Sequence, residues 1–528
     1  MTPASRLLAC AIGMGAWFPL HAQRAERAVF VMRLGKDTLA VEVATSREQL
    51  FEGDLRVRTP RLRIQRRMTF SAALDFQSLD FTASGGAHGD SVLVHYLLIV
   101  AGDSADVRTD ARSGASARTQ RVAMPKGVVP FTNLSGLAIE LMLKRARVVG
   151  RDTVMIPLLV DPGQTIPVRV TRVGADSASL TIGAVDIRAR TDAAGRLLGA
   201  VVPSQGAYID RLPGDSPVAS WDPATVRYDA PVGAPYVAEP VTIHTPAGIT
   251  LAGTLTMPAH RTGARLPAVV LITGSGSQDR DEAAPSIGAY RPFREIADTL
   301  SRRGIAVLRL DDRGVGGSSV GEMTATSADF ADDIRAGITF LRARPDIALA
   351  RVGLVGHSEG GMIAPMIAAT DSTLRAMVLI AGTARTGRAV MSGQRRYAID
   401  RDTSIRASQR DSVAADRDRE SELLYARPGW LNFFANHDPL PVARRVRAPT
   451  LILQGETDTQ VSPEQASMLA AALRAGGNRN VSVRTFPRMN HLMLEDPSGD
   501  FSGYGRLPSY RIRRDFLGAL ADWLALEL

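Results

Sequence analysis

Val355-Gly356-His357-Ser358-Glu359-Gly360-Gly361 sets a serine inside a Gly-x-Ser-x-Gly frame. The frame follows a short apolar run ending at Val355 and leads into a helical pattern from Glu359 to Ala369. A strand that turns straight into a helix needs small residues beside the turn and pushes the intervening side chain out above the sheet. The amides that open the next helix then face any negative charge developing there. Ser358 is therefore the candidate nucleophile. A serine hydroxyl is weak until a base takes its proton. On such a scaffold the acid lies between serine and histidine in chain order. Two histidines follow the frame, His437 and His491. His437 precedes the strand that should present the acid, so His491 is the candidate base.

That strand reads Thr450-Leu-Ile-Leu-Gln-Gly455, and Glu456 and Asp458 follow it. Asp458 is preferred, because three residues past Gly455 the chain has cleared the sheet and Val461 can tuck back into the core. Its carboxylate would accept the His491 N–H, fix the tautomer and stabilise the imidazolium. The oxyanion needs two backbone donors. One is expected from Glu359. The other is expected from Ser275, in the loop Gly274-Ser-Gly-Ser-Gln-Asp-Arg-Asp281 after the apolar strand Ala268–Thr273. No lysine follows a glycine loop in a Gly-Lys-Ser/Thr context, which excludes a P-loop. Arg313-Gly-Val-Gly-Gly-Ser318 lacks the full dinucleotide fingerprint and reads as a tight structural loop.

These residues need elements to hold them. From about Ala238 onward, a hairpin opens a series of short apolar strands: Ala268–Thr273, Ile305–Leu310, Val352–Val355, Ala376–Ile380, Thr450–Leu453 and Val481–Val483. Helical patterns separate them, over Arg291–Arg303, Ser327–Arg344, Glu359–Ala369, Pro463–Ala475 and Tyr510–Leu526. Continuous apolar strands between amphipathic helices predict an α/β fold with a mostly parallel sheet covered on both faces. The charge-rich stretch 384–447 has helical periodicity and no strand signal, and it predicts a helical lid. Its Trp430, Phe433 and Phe434 either line an apolar acyl pocket or pack the lid.

Residues 23–235 differ. Thr38–Val43, Val92–Val100 and Thr165–Val170 alternate with period two between turn residues. They predict an antiparallel β-rich domain, either a sandwich or a strongly curved sheet, with a Pro-rich linker after Pro213.

At 528 residues the chain calls for two or three domains, and 45% hydrophobic residues exclude global disorder. A net charge of +9 raises nucleic acid or a membrane surface as partners. Yet lysine occurs only at Lys36, Lys126 and Lys144, and the arginines are interleaved with acids, as in Arg417-Asp-Arg-Glu420. That is codon bias rather than a nucleic-acid footprint. Arg6 followed by the apolar stretch Leu7–Leu20 and Ala22 predicts a secretory signal peptide over residues 1–22, and hence a secreted or periplasmic protein. The lone Cys10 comes too early for a lipid anchor and would leave with the signal. It also excludes a disulfide framework and cysteine-based metal sites. No metal or organic cofactor is implied.

Four stretches carry a family resemblance: 274–281, Asp312-Arg-Gly-Val-Gly-Gly-Ser318, Gly356–Gly361, and Gly455–Asp458 with Asn490-His491. From Ala238 to Leu528 the chain resembles the α/β-hydrolase superfamily, and more closely bacterial carboxylesterases of the serine aminopeptidase-like group. It departs from many relatives at Thr273, where they carry histidine. The resemblance implies hydrolysis of short-chain carboxylic esters, with a small-molecule ester as partner. Two rivals remain: a peptidase using the same triad, and a surface- or polymer-binding protein whose β domain does the main work.

Overall fold

The computed structural model describes residues 25–528 apart from short segments at 35–36, 59–60, 86–90, 110–116, 134, 184, 204–205, 224–225, 260–262, 285–286, 288–289, 320–323 and 404. The expected signal segment, 1–22, lies outside the described residues. Among the described residues the C-terminal domain is built on eight strands: β1 Tyr236–His244, β2 Thr250–Pro258, β3 Leu266–Ile272, β4 Ala306–Leu310, β5 Ile347–His357, β6 Ala376–Ile380, β7 Thr450–Gly455 and β8 Val481–Phe486. Their order across the sheet is β1-β2-β4-β3-β5-β6-β7-β8, antiparallel at β1–β2 and β2–β4 and parallel from β4 to β8.

Strand alternation explains the layers. Val270 and Ile272 of β3 point to one face, where helices Ser327–Ala343, Gly360–Ala368 and Glu464–Ala475 bring Ile338, Ile363 and Leu469. Val269 and Leu271 point to the other, against Phe293, Leu300, Phe516 and Leu520 of helices Pro292–Arg302 and Arg514–Glu527. Because both faces are covered, the central strands are apolar throughout, and that is the pattern seen in the sequence. The last helix starts at Arg514, not Tyr510. The preceding turn is drawn off by the Ile512 N–H, which donates to Glu295 (3.1 Å). Four helices, Gly387–Arg401, Arg410–Tyr425, Trp430–Asn436 and Pro439–Ala443, form the insertion between β6 and β7.

Among the described residues the N-terminal domain is one sheet of fifteen strands rather than a two-sheet sandwich. Its first strand, Glu26–Leu34, pairs on one side with Asp37–Arg47 and on the other with Ala207–Pro213, so two meandering arms spread from it. The sheet curls until the arms approach, with Val122 from one lying against Gly163 in the other. The strand pattern conceals a helix, Gly136–Val149, which fills the concave face. Its run Leu137–Leu143 is buried nearly all round, which removes the amphipathic period that usually betrays a helix. The local signals are its Ser135 N-cap and left-handed Gly150 at its C-terminal end. Under its N-terminus, buried Glu42 pairs with Arg66 and accepts hydrogen bonds from the Ser135 hydroxyl (3.0 Å) and the Leu137 amide (3.0 Å).

The two domains meet at the lid. The hairpin Ser177–Thr191 packs on helix Arg410–Tyr425. Arg417 donates to both carboxylate oxygens of Asp186 (2.9 and 2.8 Å) and to the Gly183 carbonyl (3.0 Å), and Arg169 pairs with Glu420.

Two substitutions test these supports. Glu42→Ala leaves Arg66 buried without its counter-charge and should destabilise the N-terminal domain by about 3 kcal/mol, read from its urea transition. Arg417→Ala should cost only about 1 kcal/mol but expose helix Arg410–Tyr425 to faster limited proteolysis.

Candidate active site

β5 ends in a turn with no room for side chains on its inner side. A Cβ on Gly356 would collide with the Gly360 carbonyl, and one on Gly360 would collide with the Ile272 carbonyl of β3. Ser358, between them, takes φ of +53°, a left-handed conformation that costs a non-glycine residue energy and recurs at functional sites. The Ser358 amide is held by the Ile380 carbonyl at the end of β6 (2.9 Å), and the helix starts at Gly360.

The other two residues of the expected triad lie side by side. His491 Nδ1 is 2.8 Å from Asp458 Oδ2. Asp458 is only 2% exposed and is fully engaged. It accepts the Gln460 and Val461 amides (both 2.9 Å) and the Gln454 side-chain amide (3.1 Å), so its carboxylate is aimed by its own turn. Glu456 instead faces solvent and accepts the Thr485 hydroxyl (2.8 Å). His491 sits in a loop shaped by Asn490, whose Oδ1 accepts the Leu492 and Leu494 amides (3.0 and 3.1 Å). Among the described residues the Ser358 hydroxyl makes no hydrogen bond to His491. His437 lies in the lid and stacks on Phe433, with ring centroids 5.2 Å apart.

The loop 274–281 is nailed from below by the two aspartates after β4. Asp312 accepts the Gln278 amide (2.9 Å) and the Thr273 hydroxyl (3.1 Å), and its burial pushes its carboxyl well above the usual range. The Thr273 side chain thus has a partner of its own. Asp311 takes a bidentate grip from Arg280 (3.0 and 2.6 Å), and Arg280 stacks over the Tyr228 ring at 4.2 Å. Tyr228 belongs to the Pro-rich segment between the domains, so that segment helps to hold the loop. Ser275 stands exposed at its crest.

Sequence reasoning missed what stands behind Ser358 and above it. Behind, His357 bridges Glu282 and the main chain of His491. Above, the Glu359 carboxylate accepts from the Ser327 hydroxyl (2.6 Å) and from the Trp430 indole (2.8 Å), tying the lid to the residue after Ser358. Burial pushes the Glu359 carboxyl upward, and these two bonds oppose it. Trp430 stacks on Phe434 (5.4 Å), and Phe434 packs on Gly387, so Phe434 is lid core. The signal for Glu359 was its place in the frame, directly after Ser358 at the start of the helix. Among the described residues no group of three His, Cys, Asp or Glu side chains could hold a metal ion, and no helix is long and apolar enough to cross a membrane.

Residues 287–498 match the family model described as serine aminopeptidase, S33. Esterase EstD of Thermotoga maritima is 30% identical over 46% of this chain and 58% of its own length. The "Uncharacterized peptidase YuxL" of Bacillus subtilis is 25% identical over 55% of this chain and 39% of its own. The chain thus spans less than two thirds of these relatives. A solved esterase of Pyrococcus furiosus overlays 58% of this chain and 96% of its own at 16% identity, with a TM-score of 0.40. With its sheet order, covered faces and inserted lid, the C-terminal domain has the α/β-hydrolase fold and resembles the serine aminopeptidase S33 group and its esterase relatives, and a β-rich domain precedes it.

Proposed function

We propose that the protein is a serine hydrolase that cleaves carboxylic esters, with short acyl chains, through Ser358, His491 and Asp458. The observation that carries this reading is the buried Asp458–His491 pair, 2.8 Å apart, whose histidine carbonyl meets the ring of His357 (3.0 Å), the residue before a serine held left-handed at the end of a parallel strand. In this reading, rotation of the Ser358 side chain brings Oγ to His491 Nε2, a contact that commonly tightens only when substrate is bound. His491 takes the hydroxyl proton as Oγ attacks the ester carbonyl. The tetrahedral oxyanion is met by the amides of Ser275 and Glu359. Collapse releases the alcohol with the proton from His491 and leaves an acyl-Ser358 ester. Water, deprotonated by His491, then releases the acid. Asp458 holds the imidazole in one tautomer and stabilises its charged form. No cofactor enters the scheme.

The esterase name of the 30% identical relative favours esters, and the S33 match keeps amides as the comparison substrate. Export belongs to the same reading and rests on residues 1–22.

Ser358→Ala should lower kcat on p-nitrophenyl butyrate by about 10⁴-fold or more, and Asp458→Asn by about 10⁴-fold, in folded proteins. Full activity of Ser358→Ala would sink the mechanism. Faster turnover of an aminoacyl p-nitroanilide than of the butyrate would make the protein a peptidase.

A further inference from the structure

A second histidine–carboxylate pair lies directly behind the first. His357 is 3% exposed, and both of its ring nitrogens face acceptors. Nδ1 is 2.9 Å from Glu282 Oε1, and Nε2 is 3.0 Å from the backbone carbonyl of His491. The His357 and His491 rings lie 4.9 Å apart. Glu282 Oε1 also accepts the amide of Gly274, where the oxyanion loop begins (2.6 Å). Glu282 itself is held at φ +51°, and its Oε2 is buried without a partner. One carboxylate thus touches the oxyanion loop and, through His357, the main chain of the catalytic histidine.

A backbone carbonyl only accepts, so Nε2 must carry a proton. A carboxylate facing Nδ1 calls for a second proton there. We propose that Glu282 and His357 are positioning residues, a net-neutral carboxylate–imidazolium pair that holds the His491 main chain and the start of the oxyanion loop in register with Ser358. This rests on the hydrolase reading above. Neutrality matters because His491 becomes positive during the reaction: a bare imidazolium 4.9 Å away would oppose that charge, and the Glu282 carboxylate cancels it.

The titratable groups facing His357 are Glu282 from the loop after β3, Asp458 from the loop after β7 and His491 from the loop after β8. Burial alone would lower the His357 pKa, but the Glu282 charge and hydrogen bond, the His491 carbonyl and the Asp458 charge outweigh it and raise it. A raised imidazole pKa means the pair is complete below the ordinary value and is lost as pH rises through the raised one. The pair therefore contributes an alkaline limb to turnover.

The test compares wild type with Glu282→Gln and Glu282→Asp. Steady-state kinetics on p-nitrophenyl butyrate and the rate of Ser358 labelling by a fluorophosphonate are both followed against pH. In Glu282→Gln the alkaline limb should move toward neutrality by about one pH unit or more. At pH 8, kcat should fall about tenfold, with KM changed less than about twofold. Glu282→Asp, which keeps the charge, should retain the wild-type limb. Superimposable profiles for wild type and Glu282→Gln would overturn the positioning role while leaving the hydrolase intact. Failure of wild-type Ser358 to label would overturn the hydrolase reading and this one with it. Should Glu282→Gln not fold, ¹⁵N-histidine spectra of the wild type decide: both His357 nitrogens protonated at pH 7 supports the pair, and a single neutral tautomer overturns it.

Discussion

Everything around the candidate site answers to one backbone constraint, the left-handed turn at Ser358 wedged between Gly356 and Gly360. The turn brings β5, the helix behind it and the end of β3 so close that no side chain fits between them. Their relative heights are therefore set by backbone contact, which is stiffer than side-chain packing. Because β3 is locked against the turn, the loop that leaves it starts beside the serine. Because β6 supplies the carbonyl that holds the Ser358 amide, the lid that leaves β6 starts there as well. Asp458 and His491 arrive from β7 and β8, one and two strands further along the same sheet.

Residues that act through a fixed backbone geometry were legible in the sequence. Gly-x-Ser-x-Gly, the carboxylate three residues past Gly455 and the single histidine beyond β8 are all dictated by local chain direction. What stayed hidden depends on contacts between distant segments. Nothing near Glu282 announces that it meets His357, 75 positions later, and His357 reads as a filler residue in the frame. The helix Gly136–Val149 escaped for a different reason. Its first half, Gly136–Leu143, is buried all round and its charged residues gather in the second half, so the apolar run between strand patterns looks like one more strand.

The arginine excess takes on structural meaning. Arg309 is fully buried and pairs with Asp281, Arg291 reaches the same carboxylate (2.5 Å), and Arg280 grips Asp311. These guanidinium–carboxylate contacts gather beneath the loop 274–281, with the Tyr228 ring laid over Arg280 and Arg291. Arginine's planar fork suits such crowded pairing better than lysine's point charge. The chain's arginines thus supply the cation best able to brace a polar loop inside the fold.

Arg417 and Asp186 join parts of the chain that a domain diagram would separate. The hydrolase lid is an insertion, the kind of segment that can lengthen or shorten freely when only solvent faces it. Here its second helix is clasped from outside by a hairpin of the β domain, while Trp430 in the next helix is tied to Glu359 beside Ser358. Two masters on one short segment remove that freedom: a lid transplanted from a relative without the β domain would arrive without its outer half of the clasp. The clasp therefore couples any change in the lid's second helix to the hairpin Ser177–Thr191 of the β domain.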